Sequence, residues 1–435
     1  MTCTYKPPSP PHHLAPRTTG NAANSRQPLR IAFVLDEFPA LSHTFILNQI
    51  TGLLELGCDV HVFPHRPGQP ELLPTRLRDE INSRTHPWPP CPTQRLTRAL
   101  RAAQLLRRGT WRQRWHACRL YWREHRSLSP ELFHWLLSFL DLRLDLVHAH
   151  FGPNGNNAIL LKSIGLDLPV VTTFHGYDVN CWPRQAGPHA YDRLFRQGDL
   201  FTCNTPFTKN RAIQIGCPQE RIIVHPMGLD LGAFPFEPKS LRPSQPVRLL
   251  TVARLVENKG HQYALDALAI LAKRGLSFNY DIAGDGPLLD NLKTQTQRLN
   301  LLPHVRFLGP CPPDKVPQLY QDAHLFLLPC VTASDGAQEG QGLVLQEAQA
   351  CGLPVISTLG SGVPDGVLDG QSGLLVPERD TQALADAIEK LAINPQKWPE
   401  MGQQGRQFVQ QKYDIRLLNR RLVEIYRDLL AHRLP

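Results

Sequence analysis

Glu339 and Glu347 frame the run Glu339-Gly340-Gln341-Gly342-Leu343-Val344-Leu345-Gln346-Glu347. An ionised carboxylate offers two acceptor oxygens, so each Glu suits a pair of adjacent sugar or ribose hydroxyls. Gly340 and Gly342 let a ligand approach the backbone N–H groups where a helix begins. A lone Glu in the place of Glu347 would usually solvate a helix face. Its neighbours, LVLQEAQACG, read instead as buried. Arg254 and Lys259 are the second constellation, at the end of one expected strand and the start of the next helix. Two cations beside a helix N-terminus would bind a diphosphate, Arg bidentately and Lys as a point charge. Standing alone, the pair would read as two solvated surface charges. Gly284-Asp285-Gly286-Pro287 is weaker: Leu289 stands where a dinucleotide-binding loop would have its third Gly, so a plain strand-to-helix turn fits nearly as well.

These residues need strand ends and helix starts to hold them, and the sequence supplies both. RIAFVLD (30–36), a helical pattern through Ile46, Ile50 and Leu53, and DVHVFP (59–64) open the chain as a β-α-β unit. LVHAH (146–150), a helix over 156–164, PVVTTFH (169–175), LFTCN (200–204) and IIVHPMG (222–228) continue the alternation. Such near-continuous apolar runs fit parallel strands buried on both faces. The polar, Pro-containing FEPKSLRPSQP (236–246) reads as a linker. A second block follows, with strands at 248–254, 280–284, 305–309, 325–329, 354–358 and 373–376 and helices over 259–273, 288–299 and 343–351. Ala264, Ala267, Leu268, Leu271 and Ala272 form one stripe of the helix over 259–273, which Asn258 is expected to cap. The last pattern, 416–430, is an amphipathic helix with no strand after it. Two α/β blocks in tandem leave a cleft, where open parallel sheets bind ligands at strand carboxyl ends.

RLVENKG, IAGDGPLLDNL, VRFLGPCPPDKVPQLYQDAHLFLLPC and EGQGLVLQEAQACGLPVIST together resemble the retaining, nucleotide-sugar-dependent glycosyltransferases called family 4. The Glu339…Glu347 spacing matches that family's Glu-seven-Glu motif. FPALSHTFI and HAHFGPNG…TTFHGYDVN look like the branch that builds bacterial exopolysaccharides, including colanic-acid-type transferases. The resemblance implies an α/β GT-B fold: two Rossmann-like domains facing across a cleft, the last helix crossing back to the first. The expected division is a disordered tail (1–28), an acceptor-side domain (29–235), the linker (236–246), a nucleotide-sugar domain (247–415) and a crossing helix (416–435). By resemblance, Arg254 and Lys259 hold the donor diphosphate and Glu339 contacts the donor sugar. Backbone of Gly342, Leu343 and Val344 lies nearby, Gly284 lines the donor loop, Glu347 meets the ribose, and His175 approaches the transferring sugar. The implied reaction moves a hexose from a nucleoside-diphosphate sugar to a growing, lipid-linked glycan with retained configuration. The leaving phosphate takes the acceptor's proton, with no metal or other cofactor. A nucleotide-sugar epimerase or a non-catalytic sugar-nucleotide-binding protein of the same architecture are the alternatives.

The chain departs from the family pattern in places. His43 stands where the SETF-type variant has Glu, Asp365 where Glu is commoner, and Gln341 replaces a frequent Phe, which would bear on sugar selectivity. His148 and His150 share one side of a strand and could ligate a metal, but no Cys, Asp or Glu cluster accompanies them, so they read as loop-end polar residues. Asp178 either orients His175 or caps the next element.

The formal charge of +9 comes from one segment. Between Arg76 and Arg126 lie 13 Arg and no Lys against Asp79, Glu80 and Glu124, a net of +10, together with Trp88, Trp111, Trp115 and Trp122. This insert has three readings: a nucleic-acid face, the least favoured; solvated helices with buried Leu and Trp; or an amphipathic surface docking on anionic lipid. In the last, Arg107, Arg108, Trp111, Arg112 and Trp115 face the membrane or acceptor. With 42% hydrophobic and 20% charged residues the rest is an ordinary globular chain. No apolar run approaches the roughly 20 residues of a spanning helix. The N-terminus lacks the apolar core of a secretory signal, and ten Cys without a CxxC pair read as scattered thiols. A cytoplasmic enzyme, peripheral on the inner face of a membrane, is the expectation.

Overall fold

A computed structural model describes residues 27–40, 44–89, 92–124 and 128–432. The expected tail lies outside the described residues except for Gln27 and Pro28, as does His43. Twelve named strands form two six-stranded sheets in which every neighbouring pair is parallel. The first contains β1 (Arg30–Phe38), β2 (Asp59–Pro67), β3 (Leu146–His150), β4 (Val170–Phe174), β5 (Leu200–Cys203) and β6 (Ile222–Val224). Its order is β2-β1-β3-β4-β5-β6. The second contains β7 (Val247–Val252), β8 (Phe278–Ala283), β9 (Val305–Gly309), β10 (Leu325–Leu328), β11 (Val355–Thr358) and β12 (Gly373–Val376), in the order β12-β11-β10-β7-β8-β9.

Counted from its own first strand, the second sheet has the 3-2-1-4-5-6 order of a dinucleotide-binding fold, reversing between β7 and β10. The first sheet reverses between β1 and β3. Both switch points open a crevice at the carboxyl ends of the strands, and the two crevices face each other. Every residue of β3, β4 and β10 is buried, as the apolar runs require when helices cover both faces.

The chain is therefore a GT-B fold of two Rossmann-like domains, and its last helix closes the architecture. Ile415–Ala431 places Leu422, Val423 and Tyr426 among Ile46, Ile50 and Leu53 of the first domain. At the crossing, Leu229 N–H donates to Tyr413 O at 2.7 Å, and the Leu229 carbonyl accepts from Ile415 N–H at 3.0 Å.

Two local expectations are corrected. Asn258 does not cap the helix His261–Lys273: a short turn, Glu257–Lys259, intervenes, and Gly260 takes the N-cap position with φ +70°. The Asn258 carbonyl instead accepts from Val331 N–H at 3.0 Å, tying the Lys259 turn to the loop after β10. The helix expected over 156–164 begins earlier and divides into Gly152–Ala158 and Leu160–Ser163, with Pro153 at a first-turn position where a missing N–H costs nothing.

The basic insert folds onto the first domain as helices Arg95–Leu106 and Trp111–Glu124 beside Pro130–Leu137. Leu105, Ala117 and Leu120 join the core. The tryptophans divide. Trp88 packs on Trp135, whereas Trp111, Trp115 and Trp122 are 73%, 54% and 81% exposed, so the reading of buried tryptophans fails for these three. Among the described residues no helix is long and apolar enough to cross a membrane.

Candidate active site

Lys259, Glu339 and Arg254 meet at the second domain's switch point. The turn after β7 carries Arg254 and Lys259, and the long loop after β10 carries Glu339. Lys259 Nζ and Glu339 Oε2 form an ion pair with only 15% and 13% of the side chains exposed. The N–H groups of Gln341 and Gly342 donate to Glu339 Oε1 at 3.4 and 3.1 Å. Burial works against the charge on Glu339, but the Lys259 ammonium and the two N–H donors outweigh it and hold the carboxyl below its ordinary range. Burial likewise opposes the charge on Lys259, and Glu339 more than offsets it, so the Lys259 value is raised. Both groups stay ionised. The Arg254 side chain is exposed and has no hydrogen-bond or ion-pair partner among the described residues. Its carbonyl accepts from His261 Nε2 at 3.0 Å, fixing the backbone while leaving the guanidinium for an anion.

Gly284 explains how this turn is held. A Cβ on Gly284 would fall 1.9 Å from Ala253 O, with φ at +144°, so the residue lets β8's exit pack directly on the turn that bears Arg254. Its role here is close packing of backbone on backbone.

Glu347 lies inside the helix Leu343–Ala350, whose N-cap is Gly342 in the left-handed region. It accepts from the Tyr320 hydroxyl at 2.8 Å. Burial pushes its carboxyl up to about 7, the hydrogen bond pulling only partly the other way. Leu343 and Val344 form the first helical positions beside Glu339.

The first domain brings His175, from the end of β4, against this loop. A Cβ on Gly340 would sit 2.0 Å from His175 O, so only glycine allows the two domains so close. Thr205 Oγ1 donates to Gly340 O at 2.9 Å. His175 Nε2 and His150 Nδ1 are 3.0 Å apart, with their rings stacked. Asp178 is buried and accepts from the backbone N–H groups of His175, Gly176 and Gly152 at 2.9, 2.9 and 3.0 Å. Neither expected role is the one found: Asp178 lies within the helix Tyr177–Asn180, whose N-cap is Gly176, and its carboxylate fastens the exits of β3 and β4 without touching the His175 ring nitrogens. Its carboxyl is pushed up to about 6 by burial, against those three donors.

His148 is no loop-end residue. It is buried within β3, its ring nitrogens 2.5 Å from the Tyr426 hydroxyl and 2.6 Å from Thr173 Oγ1. Among the described residues no group of three or more His, Cys, Asp or Glu is placed to hold a metal. Gln341 also departs from expectation. Its side chain accepts from Met227 N–H and donates to Met227 O, both at 2.9 Å, so it clamps the domains together and does not face the cleft as a sugar contact.

Residues 234–408 match the family described as glycosyl transferases group 1, and residues 110–233 match glycosyltransferase family 4. The chain is 33% identical over 410 residues to an Escherichia coli K12 protein assigned to colanic acid biosynthesis as the glycosyltransferase WcaL, covering 92% of this chain and all of that one. It is 32% identical over 414 residues to the amylovoran biosynthesis glycosyltransferase AmsK of Erwinia amylovora, with the same coverage. The chain belongs to the group 1 glycosyltransferases. Its fold superimposes on Anabaena Alr3699/HepE, crystallised with UDP and glucose, with a TM-score of 0.70 over 92% of this chain and 100% of that one at 19% identity.

The structure of this glycosyltransferase adds residues to those the sequence singled out. Tyr320, Asn204, Thr205 and Met227 all touch site residues, yet each lies far from its partner in sequence and carries no motif of its own. Only the strand-end placing of Asn204 and Thr205 after LFTC marked them. The expected membrane-side arginines separate by ion pairing. Arg108 pairs with Asp141 at 2.9 Å, while Arg107 and Arg112 have no ion-pair partner among the described residues, and the Arg112 guanidinium lies over the Trp111 ring, 5.5 Å from its centroid.

Proposed function

We propose that this glycosyltransferase moves a hexose from a nucleoside-diphosphate sugar to a growing lipid-linked glycan of an exopolysaccharide, with retention of anomeric configuration. The meeting of Arg254, the buried Lys259–Glu339 pair and the His175 carbonyl end of β4 across one crevice carries the reading. The exopolysaccharide names of WcaL and AmsK, and the UDP and glucose bound by Alr3699/HepE, point the same way.

The chemistry follows from where charge develops. Breaking the bond between the sugar's anomeric carbon and the diphosphate leaves negative charge on phosphate oxygen and an oxocarbenium-like sugar. Arg254 and Lys259 stabilise the first in a site that needs no reorganisation, the part a metal plays elsewhere. Without donor, Lys259 is neutralised by Glu339. With donor, the ammonium serves the phosphate while Glu339, held by two N–H groups, turns its second oxygen to the sugar hydroxyls. Glu347 accepts from the ribose. The acceptor hydroxyl attacks the face the diphosphate leaves, and its proton passes to the departing phosphate oxygen, so no carboxylate nucleophile is required. His175 lies where the sugar would sit and positions it.

The exposed Trp111 and Trp115, with Arg107 and Arg112 free of carboxylate partners among the described residues, support a peripheral seat on an anionic membrane surface at the cytoplasmic face. The eight described cysteines are free thiols, in keeping with a reducing compartment. The test is to follow purified enzyme with donor and a lipid-linked acceptor by NMR of the anomeric proton. An alpha-linked donor giving an alpha-linked product supports the reading. An inverted product, or isomerisation of the donor without acceptor, overturns it.

A further inference from the structure

The insert contains a cavity that the transfer reaction does not use. It lies between the helices Arg95–Leu106, Trp111–Glu124 and Pro130–Leu137 and encloses about 1000 Å³. Its walls are Ala102 and Leu106 of the first helix, Tyr121 of the second and Phe133 of the third. Arg95 and Arg98 also line it, and neither guanidinium has a partner among the described residues. That volume stands at the upper end of small-molecule sites, and an apolar trough with a few polar groups at one end is how such sites are built.

Continuity with an exposed stripe identifies the occupant. Trp111, Trp115, Cys118 and Trp122 recur at i, i+4, i+7 and i+11, one face of the helix, and all four are exposed. The opposite face buries Ala117 and Leu120. Cys118 and Trp122 line the cavity as well as belonging to the stripe, so the cavity opens onto the surface the stripe presents. Leu96 and Leu100, 73% and 63% exposed, extend the apolar surface on the neighbouring helix. Arginines 112, 114, 119 and 123 flank the stripe. Apolar side chains facing outward among arginines suit neither water nor a nucleic acid, whose backbone would meet charge without needing the trough. They suit the headgroup layer of an anionic bilayer, with aromatic rings at the interface and arginines on phosphate.

We infer that this cavity takes one hydrocarbon chain of a phosphate-bearing lipid, the chain lying against Ala102, Leu106, Tyr121 and Phe133 and the phosphate meeting Arg95 and Arg98. The inference rests on the proposed membrane-seated transferase and deepens it by giving the lipid a binding site apart from the donor crevice. Two lipids share this chemistry, a bulk anionic phospholipid and the lipid that carries the glycan, and the probes below separate them.

The probes are decyl phosphate, farnesyl phosphate, decanol and inorganic phosphate, each titrated below its aggregation concentration and followed by tryptophan fluorescence. Saturable binding is expected for the two amphiphilic phosphates, at least about tenfold weaker binding for decanol, and none for inorganic phosphate. Tighter binding of farnesyl phosphate would identify the glycan carrier as the source, and equal binding the bulk phospholipid. Ala102→Trp fills the trough and is expected to weaken both phosphates at least about tenfold. Arg95→Glu with Arg98→Glu, at an exposed and a half-buried position one turn apart, is expected to do the same. A donor-nucleotide thermal shift on each variant keeps the two ideas apart. Intact nucleotide binding with undiminished amphiphile binding in both variants overturns the cavity, as does an absence of amphiphile binding in the wild type. Loss of nucleotide binding in the wild type counts against the transferase reading instead.

Discussion

The chain uses cations in two opposite ways. Lys259 is buried and paired with a carboxylate that two backbone donors also hold, whereas Arg95, Arg98, Arg101, Arg107, Arg112 and Arg119 have no carboxylate partner among the described residues, Arg112 and Arg119 lying instead over the Trp111 and Trp115 rings. A buried pair is costly to break from one side and insensitive to salt, because its field lies in a medium of low dielectric. Unpaired surface arginines cost little to lose and are screened within about a Debye length, roughly 8 Å at physiological ionic strength. The first arrangement fits chemistry that must be positioned, the second a location that can be reversed.

The sharpest way to break this contrast is at the pair. Lys259→Ala leaves Glu339 charged and unpaired, and is expected to destabilise the protein by about 3–5 kcal/mol. The loss of transition-state stabilisation should lower kcat by roughly 10²–10³. Lys259→Ala with Glu339→Ala should recover much of the stability and none of the activity, a separation that denaturant unfolding beside a turnover assay reads directly. Recovery of activity in the double variant would mean that the pair is only structural.

The second difference concerns the exposed stripe. Trp111→Ala with Trp115→Ala should reduce sedimentation with phosphatidylglycerol vesicles at least about tenfold at low salt, while donor binding stays unchanged. Wild-type binding should fall with added salt, and donor binding should respond far less. A vesicle affinity indifferent to both tryptophans would remove the basis for the surface role.

The smallest effect lies at Glu347, whose carboxyl is pushed up to about 7 by burial with the Tyr320 hydroxyl opposing, and which neighbours the Cys351 thiol. Its contribution to stability is full below the ordinary 4.5 and is lost as the pH rises through about 7, because the folded state keeps the proton longer. Donor binding should move the other way. The ionised form accepts both ribose hydroxyls, so affinity should strengthen a few-fold, and less than about tenfold, between pH 6 and 8. Glu347→Gln should flatten that change. Asp178, pushed up to about 6, is common to both proteins and cancels in the comparison.

The same contrast explains what could be read from the chain. LVHAH, VRFLG and GLLV gave β3, β9 and β12 to the residue, because short apolar runs bounded by polar or glycine turns have few other ways to be buried. Arg254, Lys259, Glu339 and His175 could be placed because each stands at a strand exit or helix start, where a switch-point crevice needs them. Gln341 could not, since its partner Met227 is 114 positions away and nothing local distinguishes a clamp from a cleft residue. The bond from His148 to Tyr426 spans 278 positions and depends on the last helix crossing back. Asn258 misled because its type suits a cap, while the intervening turn gave that position to Gly260. In the insert, composition announced the charge, but only the fold showed which faces of the two helices the core had taken and which tryptophans were left outside.

Arg254 gives the most direct test of the central claim, because its exposed guanidinium can be removed without disturbing the buried pair. Wild type and Arg254→Ala would be unfolded thermally with UDP-, GDP- and ADP-sugars over a range of concentrations. One donor is expected to raise the wild-type midpoint progressively, as binding to the folded state requires, and to bind Arg254→Ala at least about tenfold more weakly. A wild type that responds to none of them, or an Arg254→Ala protein that responds as the wild type does, would contradict the account.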